Sequence, residues 1–151
     1  MSSHAGDHQQ TAVDPKAFLD FLQGLRLQTL RLRRLNVDAE GEFAHADMRN
    51  LDHHESHGFE AAEGGLLRVD IRHVVRLIGP RKKTLGSIAA TFSWYYVSEK
   101  PADEQILREF LPMVRFQTWP HLRELVQSVA QRANWPRLTL PLLVAHKGPD
   151  V

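Results

Sequence analysis

Two stretches of strict alternation joined by a short turn constrain this chain most. In "LLRVDIRHVVRLI", Leu66 to Ile78, the residues Val69, Ile71, Val75 and Leu77 share one parity, and Arg68, Asp70, Arg72 and Arg76 share the other. In "TLGSIAATFSWYYV", Thr84 to Val97, the residues Ile88, Ala90, Phe92, Trp94 and Tyr96 fall on one face, opposite Ser87, Thr91 and Ser93. A period of two is the signature of a strand with one dry and one wet face. The intervening "GPRKK" has turn chemistry. The segment is therefore expected to be a long antiparallel hairpin, and its dry face must be covered by something else in the chain.

The cover is expected from the last third. In "SEKPADEQILREFLPMVRF", Pro101 and acidic residues suit a first helical turn, and Ile106, Leu107, Phe110 and Leu111 follow at helical spacing. Pro112 is expected to end or kink that helix. Thr118 then caps a second helix, with Leu122, Leu125, Val126 and Val129 as its apolar stripe and Pro136 as its close. Near the N-terminus, "DPKAFLDFLQGL" reads as a short helix with Asp14 as cap, Pro15 in the first turn and Gly24 as stop. Its sticky face is Phe18, Leu22 and either Leu19 or Phe21.

From Leu25 the period changes. In "LRLQTLRLRRLNVDAE", Leu30 and Leu32 share one parity while Leu35 and Val37 share the other. A bulge near Arg33 and Arg34 would bring both pairs to one side of a strand. A helix accounts for Leu25, Leu32 and Leu35 nearly as well. The polar stretch "GEFAHADMRNLDHHESHGFEAAEGG" is expected to be a long connection, with a short strand around His57 to Ala61. Strands followed by helices argue for an α+β fold, with the helices on one face of an antiparallel sheet.

Composition bounds the function. The chain has 151 residues, no cysteine and a formal net charge of +1. That length fits one domain, here residues 14–151 behind a polar tail at 1–13. Without cysteine there is neither a disulfide framework nor thiolate chemistry, which fits a reducing cytoplasm, the expected location. Bulk charge gives no reason to expect nucleic acid or an anionic membrane as partner. No apolar run approaches the ~20 residues needed to span a bilayer.

Motifs for catalysis are missing: no P-loop, dinucleotide fingerprint, nucleophile elbow or carboxylate pair appears. His53, His54 and His57, with His45 upstream, are the most suggestive cluster. His53 and His57 would share a metal if they sat one turn apart on a helix, but the segment has no helical stripe, and a solvated loop is the expectation. His73 falls on the dry parity and is expected to be a hydrogen-bonded core or interface residue. No cofactor or metal is expected. What remains is an excess of aromatic groups, Phe43, Phe59, Phe92, Trp94, Tyr95, Tyr96, Phe116, Trp119 and Trp135. Most are expected to be core, and some to line a groove or a subunit interface.

The order of motifs resembles the SecB family of protein-export chaperones. The best match is Leu111-Pro112, then Trp119-Pro120, the Arg123-Glu124 pair, and a tail with Pro136, Leu138 and Leu140. Leu27, Leu30, Leu35 and Val37 match the apolar spacing of the family's opening strand. The resemblance covers roughly the last four-fifths of the chain. It implies a four-stranded antiparallel sheet with two C-terminal helices on one face, here with an added short N-terminal helix. It implies assembly as a homotetramer, a dimer of dimers, and ATP-independent holding of unfolded or partly folded polypeptides in hydrophobic grooves. The residues expected to form such a groove are Leu35, Val37, Phe43, Phe59, Phe92, Trp94, Tyr96, Phe116, Trp119, Leu142 and Leu143.

Departures from the family narrow the role. Where the export chaperone uses acidic residues to dock the SecA motor, this chain aligns Arg34 and approximately Ala89, with Asp38 at a second acidic site. Basic in place of acidic repels the same partner surface and puts SecA docking in question. The family also includes chaperones that guard antitoxins, so an antitoxin is a possible client. Two other classes stay open: an assembly protein holding one fixed partner, and a metal enzyme built on His45, His53, His54 and His57.

Overall fold

The computed structural model describes residues 13–39 and 43–140, so Leu142, Leu143 and most of the N-terminal tail lie outside the described residues. The elements run α1 (Pro15–Gln23), β1 (Leu25–Ala39), β2 (Asn50–Ala61), β3 (Leu66–Ile78), β4 (Thr84–Ser98) and α2 (Glu104–Arg132), with single 3-10 turns between strands. The strands form one antiparallel sheet in the order β1-β4-β3-β2. No helix among the described residues is long and apolar enough to cross a membrane.

The hairpin β3–β4 is the centre of the sheet, and its two parities separate as the alternation dictates. Val69, Ile71, Val75, Leu77, Ile88, Ala90, Phe92, Trp94 and Tyr96 are all buried beneath α2. The chain turns from β2 into β3 through Gly64 and Gly65, both with positive φ near 80°, a conformation that side chains disfavour.

β1 is a strand, and its bulge lies where the parity shift demanded. The pairing with β4 slips between Leu32 and Arg34, and again between Leu27 and Thr29. As a result Leu27, Leu30, Leu32, Leu35 and Val37 stand opposite Tyr96, Trp94, Phe92, Ala90 and Ile88, all on the dry face. The two bulges convert a sequence of mixed parity into a single apolar row.

Two expectations need correction. The polar stretch, read as a long connection with a short strand at His57 to Ala61, holds a 12-residue strand, β2, of which those residues are only the end, paired along its whole length with β3. Its alternation is real but polar: Leu51, His53, Glu55, His57 and Phe59 face α2, with Asp52, His54, Ser56, Gly58 and Glu60 outside. The expected pair of C-terminal helices is likewise one 29-residue helix, with Pro112 and Pro120 inside it. Both prolines are exposed. The carbonyls they leave without an amide partner, those of Arg108 and Phe116, therefore meet water, which limits the usual cost of about 3 kcal/mol. Against that cost stands the burial of Leu107, Phe110, Leu111, Val114, Trp119, Leu122 and Val126 along one continuous stripe.

Thr118 is not a helix cap. It is fully buried mid-helix, donating its hydroxyl to the Val114 carbonyl at 2.6 Å and accepting the Trp94 indole N–H at 2.8 Å. The true cap of α2 is Asp103, which accepts the Ile106 amide. Thus one buried hydroxyl fastens the middle of α2 to the central strand. Replacing Thr118 by Val orphans the Trp94 N–H and should cost about 1–3 kcal/mol. Thr118→Ser keeps both bonds and should cost less. Chemical denaturation of the two variants checks this, and equal losses would remove the hydrogen bond as the cause.

α1 forms as its caps predict: Asp14 accepts the Lys16 amide and Gly24 closes the helix. Of the two alternatives for its third apolar position, Phe21 is buried and Leu19 is exposed. Phe21 meets Phe110 of α2 edge-on, with ring centroids 5.5 Å apart.

Candidate functional site

α2 covers β3 and β4 but not β1. Leu27, Leu32, Leu35 and Val37 point to the dry side yet are 54%, 44%, 41% and 40% exposed. Their partners Phe92 and Tyr96, one strand away, are each 5% exposed. Only Leu30, near the α1 end, is drawn into the core as a half-buried side chain. β1 is also a sheet edge, so its outer backbone amides and carbonyls have no strand partner among the described residues. An apolar row and a line of backbone donors and acceptors thus share one margin, bounded by α2 on one side. α1 closes this slot near Leu25 and Leu30, where Phe18 and Leu22 also pack.

The structure divides the described groove candidates into four groups. Leu35 and Val37 belong to the slot. Phe92, Trp94, Tyr96 and Trp119 do not: they are core beneath α2, between 5% and 8% exposed, and a folded chain offers them to no partner. Phe43 and Phe59 are half-buried against the two halves of the core, Phe43 packing its ring on Trp135. Phe116 is exposed, at 65%, but on the outer face of α2, where Met113 lies beside it. The slot also contains Leu27 and Leu32, which were not among the expected groove residues. The parity shift near Arg33 and Arg34 was the signal that joined Leu32 to Leu35 and Val37, whereas Leu27 joins them through the second bulge, between Leu27 and Thr29.

No family model matches the chain, and no curated protein sequence matches it significantly. Among solved structures, the SecB-like chaperone Rv1957 of Mycobacterium tuberculosis, in complex with a ChAD peptide from the Rv1956 HigA1 antitoxin, superposes with a TM-score of 0.74. Sequence identity is 19%, over 86% of this chain and 96% of that one. The fold is SecB-like. A Streptococcus agalactiae protein of unknown function gives a TM-score of 0.36 at 11% identity, over 78% of this chain and 96% of that one.

Among the described residues, the histidines of this SecB-like fold do not converge on one site. Residues four apart on a strand lie about 13 Å from each other, so His53 and His57 share no site. Among the described residues no group of His, Cys, Asp or Glu could hold an ion. His53 instead reaches across to β3, its Nε2 lying 2.9 Å from His73 Nδ1. The two rings stack at 5.2 Å, and Trp119 sets its edge against His53 at 5.3 Å. One turn away, Arg115 of α2 forms a two-point ion pair with Glu55 of β2 at 2.5 and 3.2 Å. These contacts tie the polar strand β2 beneath α2, which explains how a strand facing inward with His and Glu remains in the sheet.

Burial lowers the His73 pKa from 6.5 to about 4, opposed by Glu55 and assisted by His53 and Arg115. The folded state therefore resists protonation that the unfolded chain accepts below pH 6.5. Stability is complete above that value and falls as pH drops toward 4, by roughly 3 kcal/mol in total. Urea denaturation between neutral pH and pH 4.5 should show this decline. His73→Leu should flatten it, and an unchanged slope in that variant would assign the decline to other groups.

Proposed function

We propose that this chain is a molecular chaperone of the holding type, which keeps unfolded or partly folded polypeptides in an apolar slot without ATP. The observation that carries the proposal is the exposed row Leu27, Leu32, Leu35 and Val37 along a strand edge that is unpaired among the described residues. An unfolded chain offers the complement: apolar side chains at alternate positions and free backbone groups. Strand addition along β1 satisfies the backbone while the leucines take the side chains, and neither step reads a particular sequence.

Magnitudes argue for several slots acting together. Covering one half-exposed leucine gains about 1 kcal/mol, whereas association costs at least about 4 kcal/mol before any surplus appears. One slot alone binds weakly. Linked slots convert later contacts into intramolecular ones and raise avidity without new chemistry. This favours a homotetramer, a dimer of dimers, with Met113 and Phe116 on the outer face of α2 as the seam between copies. The fold-mate from Mycobacterium tuberculosis was solved with an antitoxin peptide. A dedicated client of that kind is the finer form of the proposal, and service in export is its alternative.

Dilution of an unrelated unfolded protein, followed by light scattering without nucleotide, tests the main claim. Near-stoichiometric tetramer should suppress aggregation. The double variant Leu32→Asp, Leu35→Asp should lose most of that suppression, with a melting temperature within a few degrees of the parent, because both positions are exposed in the folded chain. Failure of the parent protein to suppress aggregation of any client would reject general holding and favour an assembly protein with one fixed partner.

The seam has its own test. Multi-angle light scattering at micromolar concentration should return a tetramer, and Phe116→Asp should return a smaller species. A monomeric parent would refute the assembly.

A further inference from the structure

The opposite face of the sheet holds a second surface that the slot does not use. It is mostly polar, with Val74 and Ala89 among its apolar positions, and basic on balance: Arg31, Arg33, Arg34, Arg68, Arg72 and Arg76 stand against the four carboxylates Asp38, Asp52, Glu60 and Asp70. The inner carboxylates are already engaged. Asp70 bridges Arg33 at 3.4 Å and Arg68 at 3.1 Å and accepts the Ser93 hydroxyl, Glu60 holds Arg68 at 2.5 Å, and Asp52 lies 4.0 Å from Arg76. Among the described residues no ion pair reaches Arg34 or Arg72, and both are exposed.

Register brings these two cations together. Arg34 on β1 and Arg72 on β3 are both paired with Thr91 of β4, and Ser56 of β2 continues the row. Two strand spacings separate the arginines, about 10 Å between their backbones, within reach of two guanidinium groups converging above Thr91. Small side chains at Thr91, Ser56 and Gly58 keep the floor low, and a cavity of about 280 Å³ opens there across all four strands. Each guanidinium presents a planar fork of donors suited to a carboxylate.

We infer that this cavity is a docking site for an acidic segment of a partner polypeptide, with Arg34 and Arg72 clamping a glutamate or aspartate side chain over Thr91. Interspersed Asp70, Asp52 and Glu60 favour a polypeptide over a nucleic acid. A phosphate backbone needs a continuous positive track and meets repulsion at each carboxylate, whereas a peptide can set single carboxylates between them. The site lies on the face away from α2 and does not rest on the holding function proposed above.

Fluorescence anisotropy of a short labelled peptide of alternating glutamate and glycine, added to the full-length protein, tests the site. Binding is expected at about 50 mM salt and should weaken strongly by about 200 mM. The pair Arg34→Gln, Arg72→Gln should lower affinity about tenfold or more, as loss of charge-assisted hydrogen bonds implies. Arg34→Lys, Arg72→Lys keeps the charge without the fork and should give an intermediate affinity. Neutralising Lys83 and Arg132, exposed cations elsewhere, should change little. Absence of binding overturns the proposal, as does an affinity unchanged in both paired variants or an equal loss in the Lys83 and Arg132 control. Tighter binding of a random-sequence DNA duplex than of the peptide overturns it in favour of a nucleic-acid surface.

Discussion

A single α-helix is about 10–12 Å across, side chains included, and four strands about 4.8 Å apart present a wider face than that. The organisation of this chain follows from that mismatch. A helix of 29 residues is about 44 Å long, close to the span of strands of 13–15 residues, so α2 matches the sheet in length but not in width. It therefore lies along β3 and β4 and leaves the margins to other devices. On the β2 side the margin is tied down by Arg115–Glu55 and His53–His73. On the β1 side, Leu27, Leu32, Leu35 and Val37 stay exposed among the described residues, and the apolar slot is the result.

Continuity of α2 is what makes the arrangement work. A break at Pro112, with a fresh cap at Thr118, would split the stripe from Ile106 to Val129 between two shorter helices and leave the Trp94 N–H without its acceptor. Instead the prolines face water, and Thr118 spends its hydroxyl inside, on Val114 and Trp94. The two halves of the core, one around Phe21, Trp94 and Phe110 and the other around Ile88, Trp119 and Val126, are then spanned by one rigid element.

The parts of the fold that the residues disclosed were those where polarity and geometry agree. The β3–β4 hairpin alternates apolar with polar, α1 carries its own start and stop, and the bulge in β1 is forced by the parity change between Leu32 and Leu35. Only the end of β2, His57 to Ala61, was legible, and the rest stayed hidden because its inward residues are polar. His53 and Glu55 are compatible with a buried face only once His73 and Arg115 are known to meet them, and those partners lie 20 and 60 residues away. The single helix stayed hidden for a related reason: a proline is read as a local break, whereas its true cost depends on whether the freed carbonyl meets water. The slot was half legible. Leu35 and Val37 were visible as apolar residues on an edge, but Phe92, Trp94, Tyr96 and Trp119 were drawn to it by their chemistry although burial claims them for the core.

An edge strand with five apolar side chains on one face is an aggregation hazard in any protein, since it templates pairing with other chains. Here the hazard is managed without being removed. Arg31, Arg33 and Arg34 occupy the same strand, two bulges twist it, and α1 shuts one end. These devices discourage flat edge-to-edge stacking of folded copies, yet they leave Leu32, Leu35 and Val37 open to a single extended segment. Removing the hazard altogether would need only a few polar substitutions on exposed positions, changes that cost the fold little. The chain instead keeps the leucines and surrounds them with charge. That combination leaves an apolar row exposed along an edge guarded by charge.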